Sequence, residues 1–264
     1  MTDAAPAGAA TGDGSVDAPP DTQRDPGGPP ERGATTPRGI ALELAALTLI
    51  TLLLIRGVVS LQRGAGLHEA VLAAVPFLFI YAPVALCQWR RVDSYGYHLS
   101  IPAFRDLSAW SAALKLGGGW LLILLIPWLA GYHAYQTLLF DHSFEGTLPK
   151  EPLTLVAYQI FFVAIPEEFF YRGYMQSRLN ELFPRRFEIW GIRFGHALWI
   201  TAIIFAFGHS LVVYRWWHFA IFFPGLLFGL LREKSGRVLP GAFFHAGCNT
   251  MVVFLDTAYG IVPP

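Results

Sequence analysis

Long apolar stretches alternate with short polar ones from residue 40 to the end of the chain. A membrane-spanning helix needs about 20 mostly apolar residues, and seven stretches approach or exceed that length. They are Ile40–Leu61, His68–Trp89, Leu107–Tyr132, Pro152–Gln176, His196–Tyr214, Trp216–Leu231 and Val238–Thr257. The pattern predicts an all-α fold, a polytopic transmembrane bundle of about seven to eight helices over residues 40–264.

Composition supports this prediction. Hydrophobic residues make up 54% of the chain and charged residues 14%, which is typical of polytopic membrane proteins. The formal net charge is zero, which argues against a nucleic-acid-binding protein with a basic face. Residues 1–39 differ from the rest, being rich in Pro and Gly and without an aromatic residue. We expect them to form a disordered tail.

Charge asymmetry predicts the orientation. The loops after the second, fourth and sixth predicted helices carry ten Lys and Arg residues, against four in the loops after the first, third and fifth. Because Lys- and Arg-rich loops stay in the cytoplasm, the N-terminus is predicted to be cytoplasmic. The Ala-, Gly-, Pro- and Arg-rich composition favours a bacterial source, and hence the inner membrane. Gly225 and Gly229 are spaced for close helix packing.

The fourth apolar stretch contains two adjacent carboxylates, Glu167 and Glu168, with Arg172 four residues after the second. Ionisable groups at membrane depth are costly and by default mark a functional site. One Arg cannot neutralise two carboxylates, so the surplus carboxylate indicates chemistry. Pro166 removes a backbone donor and is expected to kink the helix beside the pair.

Two further helices carry polar residues at helical spacing. Phe205 and His209 are four residues apart in the fifth, and His245 and Asn249 are four apart in the seventh, so each pair shares a helix face. A single buried His is more often a hydrogen-bonded core residue, but this set, together with the carboxylates, predicts a shared site. At about 1.5 Å per residue, His209 comes out nearer the opposite membrane face than Glu167.

These segments resemble the motifs of the CPBP family, the CAAX-protease and bacteriocin-processing group of intramembrane proteases. EEFFYR matches the family's EExxxR motif, FAFGH matches FxxxH, and HAGCN matches the third motif. The resemblance covers about residues 152–253. It implies an intramembrane endopeptidase that cuts membrane-anchored proteins near their C-termini. A bacterial source favours substrates with a C-terminal sorting tail, like those of the myxosortase branch, over prenylated ones.

The resemblance also implies roles for the site residues. Glu167, with His209, would hold and deprotonate a water molecule. His245 and Asn249 would donate hydrogen bonds to the developing oxyanion. The neighbouring Glu–Arg pair and Phe205 would support the shape of the site. This mechanism needs no cofactor.

Two alternatives concern the same atoms. Glu167, His209 and His245 could hold a catalytic zinc ion, although the chain has no HExxH helix. Cys248 could act as a thiol nucleophile, although a small buried Cys is usually a packing residue.

A third alternative is a non-enzymatic membrane scaffold or transporter that uses the same polar cluster to bind a partner. Transport is disfavoured because the helices show no internal repeat. His133 and His142 fall in a predicted loop at residues 133–151, and we interpret them as solvated loop residues.

Overall fold

The computed structural model describes residues 36–91 and 105–261. Each of the seven predicted stretches corresponds to a helix in these ranges, which confirms the all-α helix bundle. The helices are α1 Pro37–Gly64, α2 Ala74–Arg90, α3 Leu107–Phe140, α4 Pro152–Asn180, α5 His196–Val212, α6 Phe222–Ser235 and α7 Leu239–Ala258. Short 3₁₀ turns, Glu69–Ala73 and Trp216–Ile221, precede α2 and α6.

Several predicted boundaries are corrected. α1 begins at Pro37, where Thr36 caps it by accepting a hydrogen bond from the Gly39 amide at 3.2 Å. The predicted tail of residues 1–39 therefore ends slightly too late, and its first 35 residues lie outside the described ranges. α3 continues to Phe140, so His133 lies in a helix, where its Nδ1 contacts the Tyr259 hydroxyl. Its placement in a loop is therefore wrong, although the residue is exposed as expected.

The helices differ in their ability to cross a membrane. Within the described ranges, four are long and apolar enough to do so: Pro37–Gly64, Glu69–Arg90, Leu107–Phe140 and Pro152–Asn180. α5 is apolar but has 17 residues, which is about 26 Å, and α6 has 14 residues, which is about 21 Å. The hydrocarbon core is about 30 Å thick. The prediction of seven full spans therefore narrows to four candidate spans. The shorter helices α5 and α6 and the 20-residue α7, which is long enough but not apolar enough, pack with them.

α3 and α7 run side by side in the same direction. Trp110 near the start of α3 packs edge-on against Phe243, with ring centroids 6.0 Å apart, and Tyr132 donates a hydrogen bond to Asp256 further along. Gly117 permits the close approach, because a Cβ atom there would lie 3.1 Å from the Phe244 amide nitrogen. α7 thereby becomes a fixed support for the polar residues of its other face.

The predicted glycine pair in α6 is also used for close packing. A Cβ atom on Gly225 would lie 3.3 Å from the Arg172 guanidinium, and one on Gly229 would collide with the Leu198 side chain. The structure thus confirms that α6 packs closely through these glycines, against α4 and the start of α5.

A β-hairpin that the sequence pattern did not predict joins α4 to α5. Its strands, β1 Phe187–Ile189 and β2 Ile192–Phe194, pair antiparallel. The turn residues Trp190 and Gly191 have positive φ angles of 53° and 74°, as a type I′ turn requires. β2 buries Ile192 and Phe194 against α5 and α6, whereas β1 is exposed.

Candidate active site

The two adjacent carboxylates of α4 have different surroundings. Neighbouring residues of a helix point about 100° apart, so Glu167 and Glu168 cannot face the same partners. The Glu168 side chain is fully buried, and its Oε1 accepts hydrogen bonds from Arg172 Nη1 at 2.9 Å and from His245 Nδ1 at 3.0 Å. Glu168 therefore holds a cation of its own helix and an imidazole of α7.

Arg172 of α4 contacts residues of its own helix and of α5 and α6. Besides Glu168, its guanidinium donates to the Gly225 carbonyl of α6 at 2.9 Å and lies 4.3 Å from the ring centroid of Phe205 in α5. Such a cation–π contact is worth more where water is excluded. Because the charge of Arg172 is committed to Glu168, the described residues provide no guanidinium bound to Glu167. The surplus carboxylate of the pair is Glu167.

Glu167 faces the two imidazoles. Its Oε2 lies 3.8 Å from His209 Nε2 and 3.8 Å from His245 Nε2. Oε2 is buried and has no hydrogen-bond partner among the described residues. A separation of 3.8 Å is too long for a direct hydrogen bond, but a water molecule about 2.8 Å from both heteroatoms would bridge them from one side. The geometry therefore suits an activated water.

His209 is held so that one ring nitrogen faces the carboxylate. Its Nδ1 lies 2.8 Å from the Phe205 carbonyl oxygen, one turn earlier in α5. A carbonyl only accepts, so Nδ1 carries the proton and the Nε2 lone pair of the neutral ring is directed toward Glu167. The Phe205 ring packs edge-on against the imidazole at 4.6 Å. Phe205 thus contacts both His209 and Arg172.

The depth estimate for His209 is wrong for a structural reason. α5 ends at Val212, only three residues after His209, and the preceding carbonyl, Leu211 O, accepts a hydrogen bond from Arg56 of α1. α5 is only two residues shorter than the predicted stretch, but its last turn lies beside the middle of α4, where His209 Nε2 is 3.8 Å from Glu167 Oε2. The imidazole therefore lies at the level of Glu167.

His245 is the more buried of the two imidazoles. Its Nδ1 contacts Glu168, its ring stacks on Phe228 with centroids 4.5 Å apart and planes at 15°, and only 4% of its side chain is exposed, against 28% for His209. The remaining nitrogen, Nε2, points toward Glu167. Glu168 thus orients the ring, and Glu167 faces its second nitrogen, Nε2.

Asn249 lies one turn after His245 on α7. Its Nδ2 donates a hydrogen bond to Gln159 Oε1 in α4 at 3.1 Å. Gln159 belongs to the site but was not among the predicted residues. A polar residue in an apolar stretch was a usable signal, but α-helical spacing places Gln159 off the face of Glu167.

α-Helical spacing misplaces Gln159 because α4 is not α-helical throughout. Residues Gln159–Ala164 and Phe169–Gln176 form π turns, and Pro166 lies in the short α-helical segment between them. Pro166 was expected to kink the helix here, and the structure has a π-helical segment on each side of it. Single π turns are frequent at functional sites because they re-aim side chains.

A cavity of about 790 Å³ adjoins the cluster. His209, His245 and Asn249 are part of its wall, and the rest is almost entirely apolar, with contributions from α3, the hairpin, α5, α6 and α7. Trp190, at the tip of the hairpin, lines it and contacts Trp120 of α3 at 6.2 Å.

The arrangement does not fit a zinc site. Within residues 36–91 and 105–261, no group of three or more His, Cys, Asp or Glu side chains is arranged to hold a metal ion. Tetrahedral zinc with bonds of about 2.0 Å needs donors roughly 3.3 Å apart, whereas Glu167 lies 3.8 Å from each imidazole nitrogen. No step is therefore assigned to a metal.

The comparisons with known proteins agree with the motifs. Residues 149–251 match the family model described as type II CAAX prenyl endopeptidase Rce1-like, almost the same segment as the resemblance at residues 152–253. Neither the curated proteins nor the solved structures gave a match. The matched segment runs from the start of α4 into α7 and contains every residue of the cluster described above. This segment, 103 of the 264 residues, is similar to the type II CAAX prenyl endopeptidases, which supports the resemblance to the CPBP family.

Proposed function

We propose that this protein is an intramembrane endopeptidase that hydrolyses a peptide bond near the C-terminus of a membrane-anchored protein. One observation carries the proposal. The surplus carboxylate, Glu167, lies 3.8 Å from the Nε2 atoms of two imidazoles, beside a cavity large enough for a polypeptide segment. Buried polar groups at membrane depth are expensive, and a purely structural cluster would not leave one of two carboxylates without a bound guanidinium.

The first step is activation of water. A water molecule between Glu167 and His209 donates one hydrogen bond to the carboxylate and one to the imidazole Nε2. Glu167 takes the proton as the water oxygen attacks the scissile carbonyl carbon. The new carbon–oxygen bond forms, the carbonyl π electrons move to its oxygen, and the tetrahedral intermediate carries one negative charge. General-base catalysis of this kind contributes about 10²- to 10⁴-fold in rate.

His245 and Asn249 then stabilise the oxyanion. Because Nδ1 of His245 donates to Glu168, Nε2 can donate only if the ring carries both protons. In that form the ring donates to Glu168 through Nδ1 and to the oxyanion through Nε2. The Asn249 amide supplies a second donor. When the intermediate collapses, the carbon–nitrogen bond breaks and Glu167 returns its proton to the leaving amine.

The cavity supports an apolar substrate. Its wall of aromatic and aliphatic side chains suits an anchored segment that approaches from within the bilayer. The family match and the bacterial character of the composition favour two substrate classes, a lipid-modified C-terminus and a C-terminal anchor helix followed by basic residues. We place the protein in a bacterial inner membrane with its N-terminus in the cytoplasm, on the basis of its Lys and Arg distribution.

Comparison of membrane-protein C-termini tests the proposal. C-terminal peptides are quantified by mass spectrometry in cells that produce the wild-type protein and in cells that produce Glu167→Gln at equal level. We expect one or more membrane proteins to be shortened at the C-terminus only with the wild type. Identical C-termini in both strains would refute proteolysis and favour a scaffold. A positive result supplies the sequence for a purified, anchored reporter substrate.

A further inference from the structure

We propose that Gln159 is a positioning residue that orients the Asn249 amide toward the oxyanion. The inference rests on the proposed endopeptidase activity and deepens it. Its basis is the hydrogen bond of 3.1 Å from Asn249 Nδ2 to Gln159 Oε1, which joins α7 to α4 across the site. Asn249 lines the cavity, and Gln159 acts on it through its hydrogen bond to the Asn249 amide.

The π turn brings Gln159 onto the catalytic face of α4. In an uninterrupted α-helix, residues 159 and 167 would differ by eight positions, or about 80° from the same face at 100° per residue. A π turn takes up one additional residue, so the pair behaves as if separated by seven positions. Its angular difference is then only about 20°. The turn Gln159–Ala164 therefore places Gln159 about two helical turns from Glu167 on the same side.

The hydrogen bond from Asn249 to Gln159 fixes which polar atom of the Asn249 amide faces the cavity. A carboxamide has two N–H donors on a short side chain that can rotate, and an unrestrained amide presents either its oxygen or its nitrogen to the cavity. An oxygen directed at the oxyanion would repel it. With one N–H of Asn249 donated to Gln159, the second N–H is fixed in the amide plane and remains for the intermediate. Preorganised donors of this kind stabilise developing charge without reorganisation.

Substitution of Gln159 by methionine tests this role. Methionine has a similar length but offers no comparable acceptor, so the Asn249 amide loses its restraint. On the reporter substrate, in proteoliposomes, we expect kcat to fall about 10- to 100-fold, as is typical when an outer-shell partner is removed, with KM nearly unchanged. Gln159→Glu keeps the acceptor oxygens and should retain more activity than Gln159→Met. Equal loss in both variants would overturn the proposal.

A double-mutant comparison separates positioning from a general structural role. If Gln159 acts through Asn249, adding Gln159→Met to Asn249→Ala should cause no further loss of kcat. A further loss of the same size as in the wild-type background would show independent action and overturn the inference. Gln136→Met is the matched control, because Gln136 Oε1 also makes a hydrogen bond of 3.0 Å, with His142, at the far end of α3. It should leave kcat unchanged.

The same series distinguishes the two proposals. Loss of activity in Glu167→Gln and Asn249→Ala together with wild-type kcat in Gln159→Met would overturn the role of Gln159 and leave the endopeptidase intact. Full activity in Glu167→Gln would overturn the endopeptidase mechanism, and the role of Gln159 with it.

Discussion

Replacement of Glu167 by glutamine is the most informative perturbation of this protein. The amide has nearly the shape of the carboxylate but cannot accept a proton from water. A water molecule about 2.8 Å from both Glu167 Oε2 and His209 Nε2, whose separation is 3.8 Å, would bond to them at an angle of about 85°. Loss of the base should lower kcat by about 10²- to 10⁴-fold, or roughly 2.7 to 5.4 kcal/mol in activation free energy.

The fold should tolerate this substitution. Glu167 makes no hydrogen bond through its buried Oε2 within the described residues, and Arg172 is bound to Glu168 instead. A neutral amide costs less to bury than an uncompensated carboxylate. The melting temperature of purified Glu167→Gln should therefore equal or exceed that of the wild type. Thermal unfolding and reporter cleavage are measured on the same sample, so that loss of activity cannot be attributed to unfolding.

Glu167→Asp is the matched control. It keeps the carboxylate but withdraws it by one methylene group from the two imidazoles, so its kcat should lie between those of the wild type and Glu167→Gln. Wild-type kcat in Glu167→Gln would refute the assignment of this residue as the base. A large fall in melting temperature would refute the conclusion that its charge is not needed for the fold.

Four further substitutions give distinct outcomes. Glu168→Gln leaves the buried Arg172 charge without its carboxylate, so it should lower the stability of the protein by about 3 to 5 kcal/mol. Thermal unfolding measures this loss, and unchanged stability would contradict the ion pair. His209→Ala should lower kcat at least 100-fold with normal membrane insertion. Cys248→Ser should retain full activity, and loss of cleavage would instead favour the thiol mechanism. Gly229→Val should destabilise the protein by about 1 to 3 kcal/mol, because a side chain there collides with the start of α5.

The helices and the three motif segments could be predicted from the sequence because their signals are local. Apolar stretches locate each helix, and a spacing of four residues places His245 and Asn249 on one face of α7 regardless of the rest of the fold. The adjacent carboxylates are visible for the same reason. Their different roles were implied only by the family resemblance, because the spacing alone does not show that Arg172 contacts Glu168 and not Glu167.

Features that depend on distant partners escaped prediction. The polar end of α3 resembles a loop in the sequence, but its side chains are satisfied by tertiary contacts such as that between His133 and Tyr259. Gln159 escaped because an α-helical period does not apply across a π turn. The hairpin did leave a signal, since Trp190 and Gly191 lie between two short runs of alternating apolar residues, but strands of three residues are too short to stand out in an apolar chain.

The use of two adjacent carboxylates follows from requirements that one carboxylate cannot meet. A group that orients an imidazole must be desolvated and fixed by charge-assisted hydrogen bonds, as Glu168 is by Arg172 and His245. A general base must instead be able to accept a proton from water, and Glu167, which faces two imidazoles and no guanidinium among the described residues, suits that role. Because successive residues point about 100° apart, one step along α4 suffices to separate these environments. Exchange of the two roles would require Arg172 to move to the other face of the helix.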